Sequence, residues 1–252
     1  MSIEVLIENA CYGKRTVLKN IRFSIADGAH TIALGRNGSG KSTLISCICS
    51  FLDYRGKIIV DGYHVRELSP NERARHLSAV LQNPTRPHIT VEELVALGRS
   101  PYHSILSQRD EEDIKQIQCA LRDSSLDALR YSYIDSISGG ELRRAYFAMM
   151  MAQGTRNILL DEATAFMDAD YEHRFWEMVS GFCKRERRAV FSVTHHLDNA
   201  LTYADNIILL NEGEQLFFGS REELLHTDLI EMTFGVKRYV VGEKIFFSVS
   251  EN

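Results

Sequence analysis

The 252-residue sequence is poor in the features that mark disulfide-linked, zinc-binding and nucleic-acid-binding proteins. Its five cysteines are odd in number, and no two of them form a CxxC pair. We therefore expect reduced, mostly buried thiols in a reducing compartment, and no zinc site. The formal net charge is −5 and the isoelectric point is about 6.0. This balance argues against a broad nucleic-acid surface, so we expect no nucleic-acid partner.

Long apolar runs, internal repeats and low-complexity linkers are missing as well. No run approaches the roughly 18 apolar residues that a helix needs to cross a bilayer. The first residues, MSIEVLIENA, have neither the basic start nor the apolar centre of a signal peptide. We expect a cytosolic protein, and docking on a membrane protein stays open. The length and the ordinary globular composition suit one large α/β domain or two small ones.

The order of hydrophobic patterns predicts an α/β core that is interrupted by a helical insert. Apolar and polar residues alternate in Ile3–Ile7, as in a half-buried strand. From Thr90 the period becomes helical, and Thr90 with Glu93 fits a capping box. We expect a single domain over residues 1–252. Its parts are residues 1–83 and 155–252, which form the core with a β subdomain, and residues 84–154, which form a helical subdomain.

A glycine-rich loop, GRNGSGKST, matches the pattern G-x-x-x-x-G-K-[ST]. It follows a predicted strand and opens a predicted helix, which is the context that this motif needs. Backbone N–H groups of such a loop surround phosphates, and the helix N-terminus adds a favourable dipole. Lys41 would reach the β- and γ-phosphates, and Ser42 would hold Mg²⁺; a chance match is the alternative. The predicted phosphate-binding residues are Gly35, Arg36, Asn37, Gly38, Ser39, Gly40, Lys41, Ser42 and Thr43.

An acidic pair ends the apolar strand in NILLDEAT, Asn157–Thr164. Alternation along a strand sends Asp161 and Glu162 in different directions. We expect Asp161 to bind Mg²⁺ through water, and Glu162 to orient or deprotonate the attacking water. The alternative is a solvated strand end.

Histidine and glutamine side chains follow two further predicted strands. His195 in SVTHH ends a strand where open α/β sheets place their ligand site, so it could contact the γ-phosphate. The alternative is a structural histidine, and we expect His196 to be its solvent-facing neighbour. Gln82 could bind Mg²⁺ or water and release it easily, or it could be an exposed loop residue. Tyr12 could stack on adenine or make a plain hydrophobic contact.

The stretch ISGGELRR places Ser138, Gly139 and Gly140 directly ahead of a strong helical pattern. Residues without side chains allow close approach, and a helix N-terminus attracts anions. This would be a second anion site, and a simple helix cap is the alternative. The helix carries a methionine-rich face that we expect to be core, formed by Leu142, Ala145, Met149 and Ala152.

Taken together, these motifs resemble the nucleotide-binding subunit of an ABC transporter. The matching pieces, in the family's order, are Tyr12, GRNGSGKST, Gln82, ISGGE, ILLDE, the D-loop residue Asp168 and His195. The resemblance implies a P-loop NTPase (RecA-like) core with an N-terminal antiparallel β subdomain and an inserted helical subdomain. It also implies ATP and Mg²⁺ as ligands, with Ser138, Gly139, Gly140 and Glu141 meeting the nucleotide of a second identical chain.

The sequence departs from the family pattern at several places. Glu141 stands where glutamine is usual, Ala163 replaces a proline, and His196 stands where aspartate is usual. The sequence ATAFMD replaces the usual D-loop sequence, so Asp168 is the only residue of that segment that matches the family pattern. These differences concern communication between two chains more than hydrolysis.

A narrower resemblance lies in TVEELVALGRSPYHS, Thr90–Ser104. It is similar to a segment of ATPase subunits of iron-siderophore, haem and cobalamin importers, a pattern shared by a molybdate or tungstate branch. The resemblance implies transmembrane permease subunits as partners, a substrate-binding protein as an indirect one, and attachment to the inner face of the membrane. The alternative is a soluble ABC ATPase that drives a complex such as iron–sulfur cluster assembly.

Overall fold

The computed structural model describes residues 2–82, 84–103, 109–164, 169–241 and 244–249. The strands are β1 (Ile3–Tyr12), β2 (Arg15–Ile25), β3 (His30–Leu34), β4 (Tyr54–Val60), β5 (Tyr63–His64), β6 (Leu77–Val80), β7 (Asn157–Asp161), β8 (Ala189–Thr194), β9 (Asn206–Asn211), β10 (Glu214–Ser220), β11 (Val236–Val241) and β12 (Lys244–Val249). The helices are α1 (Lys41–Ile48), α2 (Pro70–His76), α3 (Val91–Leu97), α4 (Glu111–Asp123), α5 (Gly139–Gln153), α6 (Ala169–Glu186), α7 (Leu197–Tyr203), α8 (Arg221–Leu225) and α9 (Leu229–Phe234), with short 3-10 turns at Ser100–Tyr102 and Asp127–Leu129.

Ten strands form one mixed sheet in the order β5-β4-β1-β2-β10-β9-β3-β8-β7-β6. Strands β9, β3, β8, β7 and β6 pair in parallel, as expected where helices connect successive strands. The N-terminal strands β1, β2, β4 and β5 pair antiparallel. The predicted α/β class with an N-terminal antiparallel part is therefore confirmed.

The sheet curls so that its two ends approach each other. Asp61 follows β4, and its Oδ2 lies 3.0 Å from Nδ1 of His76, the residue before β6. Asn157, at the start of β7, donates its side-chain N–H to Asp61 Oδ1 at 3.0 Å. These polar contacts fix the antiparallel strands next to the parallel ones.

Two large hydrophobic clusters hold helices against the sheet, and a smaller third cluster packs α7, α8 and α9 against β3 and β9. One packs the helices between β6 and β7, together with α6, around Trp176 and Phe147, which are fully or almost fully buried. The other packs α1 against the antiparallel strands and β8, with Phe23 and Phe191 stacked at 5.5 Å between ring centroids. No helix in the described part of the chain is long and apolar enough to span a bilayer.

The helix α5 is buried on a wider arc than its sequence pattern predicts. Three of the four residues expected in the core are buried, whereas Met149 is only partly buried. Phe147 is buried as well and meets Phe175 of α6 edge-on at 5.5 Å. The helix therefore packs against α6 in addition to α3 and α4.

The capping box predicted at Thr90 is confirmed. The Thr90 N–H donates to Glu93 Oε2 at 2.7 Å, and the Glu93 N–H donates to Thr90 Oγ1 at 3.2 Å. Both bonds satisfy N–H groups that a helix leaves unpaired at its start.

Candidate nucleotide site

The parallel strands end at one edge of the sheet, and this edge collects the predicted site residues. The strand β3 leads into the glycine-rich loop, β7 into Glu162, and β8 into His195. Gln82 follows β6 by two residues. Ligands of open α/β sheets bind outside the carboxyl ends of such strands.

The glycine-rich loop wraps around the side chain of Lys41, the first residue of α1. The Lys41 ammonium donates to the carbonyl oxygens of Gly35 at 2.8 Å and of Arg36 at 3.0 Å. Burial lowers the pKa of Lys41, whose residue is 5% exposed, and the carboxylates of Glu162 and Asp161 oppose this shift. Gly40 has φ of 100°, a backbone conformation that other residues rarely adopt.

A cavity of about 430 Å³ lies over this loop. Its walls are Tyr12, Arg15, Val17, Asn37, Gly38, Gly40, Lys41, Ser42, Thr43, Gln82 and Glu162. Gly35, Arg36 and Ser39 complete the loop without lining the cavity. Sequence reasoning missed Arg15 and Val17. The tight turn at Gly13 would have revealed Arg15, because it pairs Tyr12 with Arg15 across the β1–β2 hairpin.

Ser42 and Asp161 form a polar pair beside the cavity. The Ser42 hydroxyl donates to Asp161 Oδ1 at 3.0 Å. Asp161 is 5% exposed, and burial raises its pKa, while the Ser42 hydrogen bond opposes the shift. A buried carboxylate beside a hydroxyl suits Mg²⁺, because this cation prefers oxygen ligands and would offset the cost of the buried charge. The residues present therefore fit the predicted metal.

Glu162 takes a backbone conformation that is rare for a residue with a side chain. Its φ is 44°, and such conformations cluster at functional sites. Gln82 donates its side-chain N–H to Glu162 Oε2 at 2.5 Å. Nδ1 of His195 lies 3.4 Å from Glu162 Oε1. The structure thus brings together three predicted residues from three strand ends, with Gln82 and His195 on either oxygen of the Glu162 carboxylate.

The start of α5 lies apart from the cavity wall. Ser138 forms a capping box, with its N–H donating to Glu141 Oε2 at 2.8 Å and the Glu141 N–H donating to Ser138 Oγ at 3.3 Å. A side-chain carbon built on Gly139 would meet no described atom within 4 Å. One built on Gly140 would meet only Tyr171 Cδ1 at 3.9 Å. None of residues 138–141 lines the cavity.

Comparison with known proteins decides the family. A family model described as ABC transporter matches residues 18–165. The chain belongs to the ABC transporter family. It is 33% identical over 236 residues to the ferric enterobactin transport ATP-binding protein FepC of Escherichia coli K12, covering 93% of this chain and 87% of FepC. The achromobactin transport ATP-binding protein CbrD of Dickeya dadantii is 31% identical, with coverage of 93% and 88%.

A solved structure shows the same fold. MJ1267, an ATP-binding cassette of an ABC transporter, superposes with a TM-score of 0.81 at 22% identity, over 93% of this chain and 97% of that one. The predicted P-loop NTPase fold and the predicted family resemblance are both confirmed. ABC ATPase domains bind ATP. Asp168 lies outside the described residues.

A buried arginine near the site was not expected from the sequence. Arg143 on α5 is 6% exposed, and its Nη1 has no hydrogen-bond partner among the described residues. Burial lowers the pKa of Arg143, and the charge of Glu162 opposes this shift. Its position in a polar stretch of the helical pattern gives no signal that it is buried. Only the packing of α5 between other helices reveals it.

Proposed function

We propose that the chain is the ATP-hydrolysing subunit of an ABC importer. The observation that carries this proposal is the contact of Glu162 with both Gln82 and His195 beside a glycine-rich loop. A carboxylate in this position can orient or deprotonate a water molecule for attack on the γ-phosphorus. A module that only binds nucleotide would have no use for such an arrangement.

Four side chains around the cavity have separate roles in this proposal. Lys41 exchanges its contacts with Gly35 and Arg36 for the β- and γ-phosphates, where its charge stabilises the transition state. Glu162 directs the attacking water, and His195 contacts the γ-phosphate. The adenine ring of ATP stacks on Tyr12, which is 53% exposed at the cavity wall.

Mg²⁺ belongs to this proposal as the metal held by Ser42 and Asp161, with Gln82 as a further contact. When bound, it neutralises negative charge on the phosphate oxygens. Gln82 donates to Glu162 in this conformation. It therefore has a hydrogen-bond partner to which it can return after it releases the metal ion.

A second copy of the chain would complete each nucleotide site. Glycine inside a helix costs about 0.5–1 kcal/mol relative to alanine, and α5 begins with two glycines. Neither Gly139 nor Gly140 is crowded by the residues that the structure describes, so close approach of a group from outside the chain explains them better. We propose a two-fold homodimer in which Ser138, Gly139, Gly140 and Glu141 meet the nucleotide on the partner. Asp168 would act at the same interface.

Residues 84–154 would form the helical subdomain that moves when the dimer closes. Arg86, four residues after Gln82, donates to the carbonyl oxygen of Ile137 at 2.7 Å. Ile137 directly precedes Ser138, so this bond ties the segment after Gln82 to the start of α5. A shift at Gln82 would therefore reach the dimer-facing helix through a short chain of contacts.

The import role is supported by the relatives and by exposed apolar side chains. FepC and CbrD are named for transport of ferric enterobactin and of achromobactin. Leu97 on α3 and Phe51 after α1 are 51% and 66% exposed. Such residues suit docking of permease subunits on the inner face of the membrane. We propose an iron-siderophore, haem, cobalamin or metal-oxyanion importer, with a substrate-binding protein as an indirect partner.

Replacing Glu162 by glutamine tests the catalytic part of the proposal. We expect Glu162→Gln to lower steady-state phosphate release at least about 100-fold, because it removes the base. ATP binding should stay, and ATP should now hold a lasting dimer in gel filtration. The exposed Glu67 is the matched control, and Glu67→Gln should keep wild-type turnover. Brisk hydrolysis by Glu162→Gln would remove this residue from its proposed role.

Membrane extraction tests the transport part. The tagged protein is purified from detergent-solubilised membranes of its own host, and its partners are identified by mass spectrometry. Recovery of a multi-span protein in stoichiometric amount is expected. Recovery of only soluble assembly proteins would contradict the importer proposal while leaving ATP hydrolysis intact.

A further inference from the structure

One carboxylate outside the cavity contacts three side chains from two separate segments. Oε1 of Glu172, on α6, accepts the Thr164 hydroxyl at 2.6 Å and the Asn199 side-chain N–H at 2.7 Å. Nδ1 of His196 lies 3.2 Å from the same oxygen. The Glu172 side chain is only 13% exposed, so these contacts are partly shielded from water.

The partners of Glu172 sit beside the two groups proposed to act on the γ-phosphate. Thr164 follows Glu162 by two residues and is 6% exposed. His196 follows His195 directly, and the two rings lie 4.3 Å apart at 82°. Asn199 lies in the first turn of α7, which begins right after these histidines. Glu172 therefore connects the segment that carries Glu162 with the segment that carries His195.

We propose that Glu172 is a positioning residue that sets the placement of His195 relative to Glu162, and that His196 is its charge-matched partner. The proposal rests on the ATPase function proposed above. Glu172 lines no part of the nucleotide cavity, so it acts through Thr164 and His196 and is not itself a catalytic residue. Its two hydrogen bonds and the nearby imidazole hold two loops that no continuous secondary structure joins.

The charge at position 196 is the sensitive part of this arrangement. A histidine there can donate to the Glu172 carboxylate when neutral and form an ion pair when protonated. A carboxylate at the same position would face Glu172 at close range, and two such groups repel each other. The repulsion would push the start of α7, and His195 with it, away from Glu162. Misplacement of a reacting group by about 1 Å can cost as much as 100-fold in rate.

A four-variant cycle tests the proposal. The proteins are wild type, His196→Asp, Glu172→Gln and the double variant, and kcat is expressed per ATP-binding site. We expect His196→Asp to lower kcat about tenfold with an unchanged KM for ATP, because neither residue lines the cavity. The double variant should return to within about twofold of wild type, since a side-chain amide can donate to the new carboxylate. Wild-type kcat in His196→Asp, or no recovery in the double variant, would overturn the proposal.

A matched control and a second readout separate this inference from the function on which it rests. Glu177, also on α6, has a side chain that is 61% exposed, so Glu177→Gln should leave kcat unchanged. Urea unfolding of the four variants measures the coupling of positions 172 and 196 without ATP. A wild-type protein that hydrolyses no ATP would refute the proposed function. Coupling in stability with equal kcat in all four variants would refute only the positioning role.

Discussion

The glycines at the start of α5 give a prediction in which stability and activity change in opposite directions. A methyl group added at Gly139 meets nothing within 4 Å in the described part of its own chain, and the residue has no positive φ. Gly139→Ala should therefore stabilise the isolated chain, because alanine is the better helix former and loses less freedom on folding. The same methyl group would obstruct a nucleotide that approaches from a second copy.

The expected sizes follow from these two effects. The gain in unfolding free energy should be about 0.5–1 kcal/mol, or roughly 1–4 °C in melting temperature for a chain of this length. ATP turnover should fall at least about tenfold, because the helix start can no longer approach the phosphate in the transition state. Stability is measured by urea unfolding without nucleotide, and turnover by phosphate release.

Gly181 supplies the matched control for this experiment. It lies inside α6, and a side-chain carbon there also meets nothing within 4 Å. Gly181→Ala should stabilise the protein by a similar amount and leave turnover unchanged. Full turnover of Gly139→Ala would refute a close approach at α5. A loss of stability in Gly139→Ala would instead show that the chain's own fold requires the glycine.

Three further predictions concern other parts of the molecule. Thr90→Ala should lower the unfolding free energy in urea by about 1 kcal/mol, because it removes the cap of α3. Burial lowers the pKa of His30 to about 3, so the unfolded chain takes up a proton there below pH 6.5 and the folded chain does not. The stability that this neutral histidine contributes is therefore complete above pH 6.5 and is lost as the pH falls. Between about pH 6 and about pH 5, the unfolding free energy of wild type in urea should fall by about 1 kcal/mol more than that of His30→Gln. Leu97→Asp should abolish recovery of the permease from membranes, whereas Met232→Asp, at a residue that is 78% exposed, should not.

Local patterns in the sequence were sufficient for the fold class and for the loop that surrounds Lys41. The periods of strands and helices depend on near neighbours, as does the capping box of Thr90 and Glu93. The order of the motifs then indicated the family before any contact was known. These signals are readable because each needs only a few consecutive residues.

The contacts within the site could not be predicted in the same way. Gln82 and Glu162 are 80 residues apart, and no pattern in the sequence around either residue predicts their hydrogen bond. The positive φ of Glu162 could not be predicted either, because the residue is neither glycine nor asparagine, the residues that usually adopt this conformation. His196 was expected to be a solvent-facing neighbour, and its side chain is 44% exposed, but it also faces the carboxylate of Glu172. Such features depend on how strand ends and helices meet in the folded chain.

The groups proposed to meet ATP already have partners inside the chain. Lys41 donates to two loop carbonyls, Ser42 donates to Asp161, and Gln82 donates to Glu162. Nucleotide binding would thus exchange one set of hydrogen bonds for another. Each exchange changes the free energy by much less than a hydrogen bond formed by two groups that had no earlier partner. The internal partners lower the cost of holding buried charges when ATP is absent. They also keep the nucleotide from binding too tightly to leave, which a subunit that must release its products in every cycle requires.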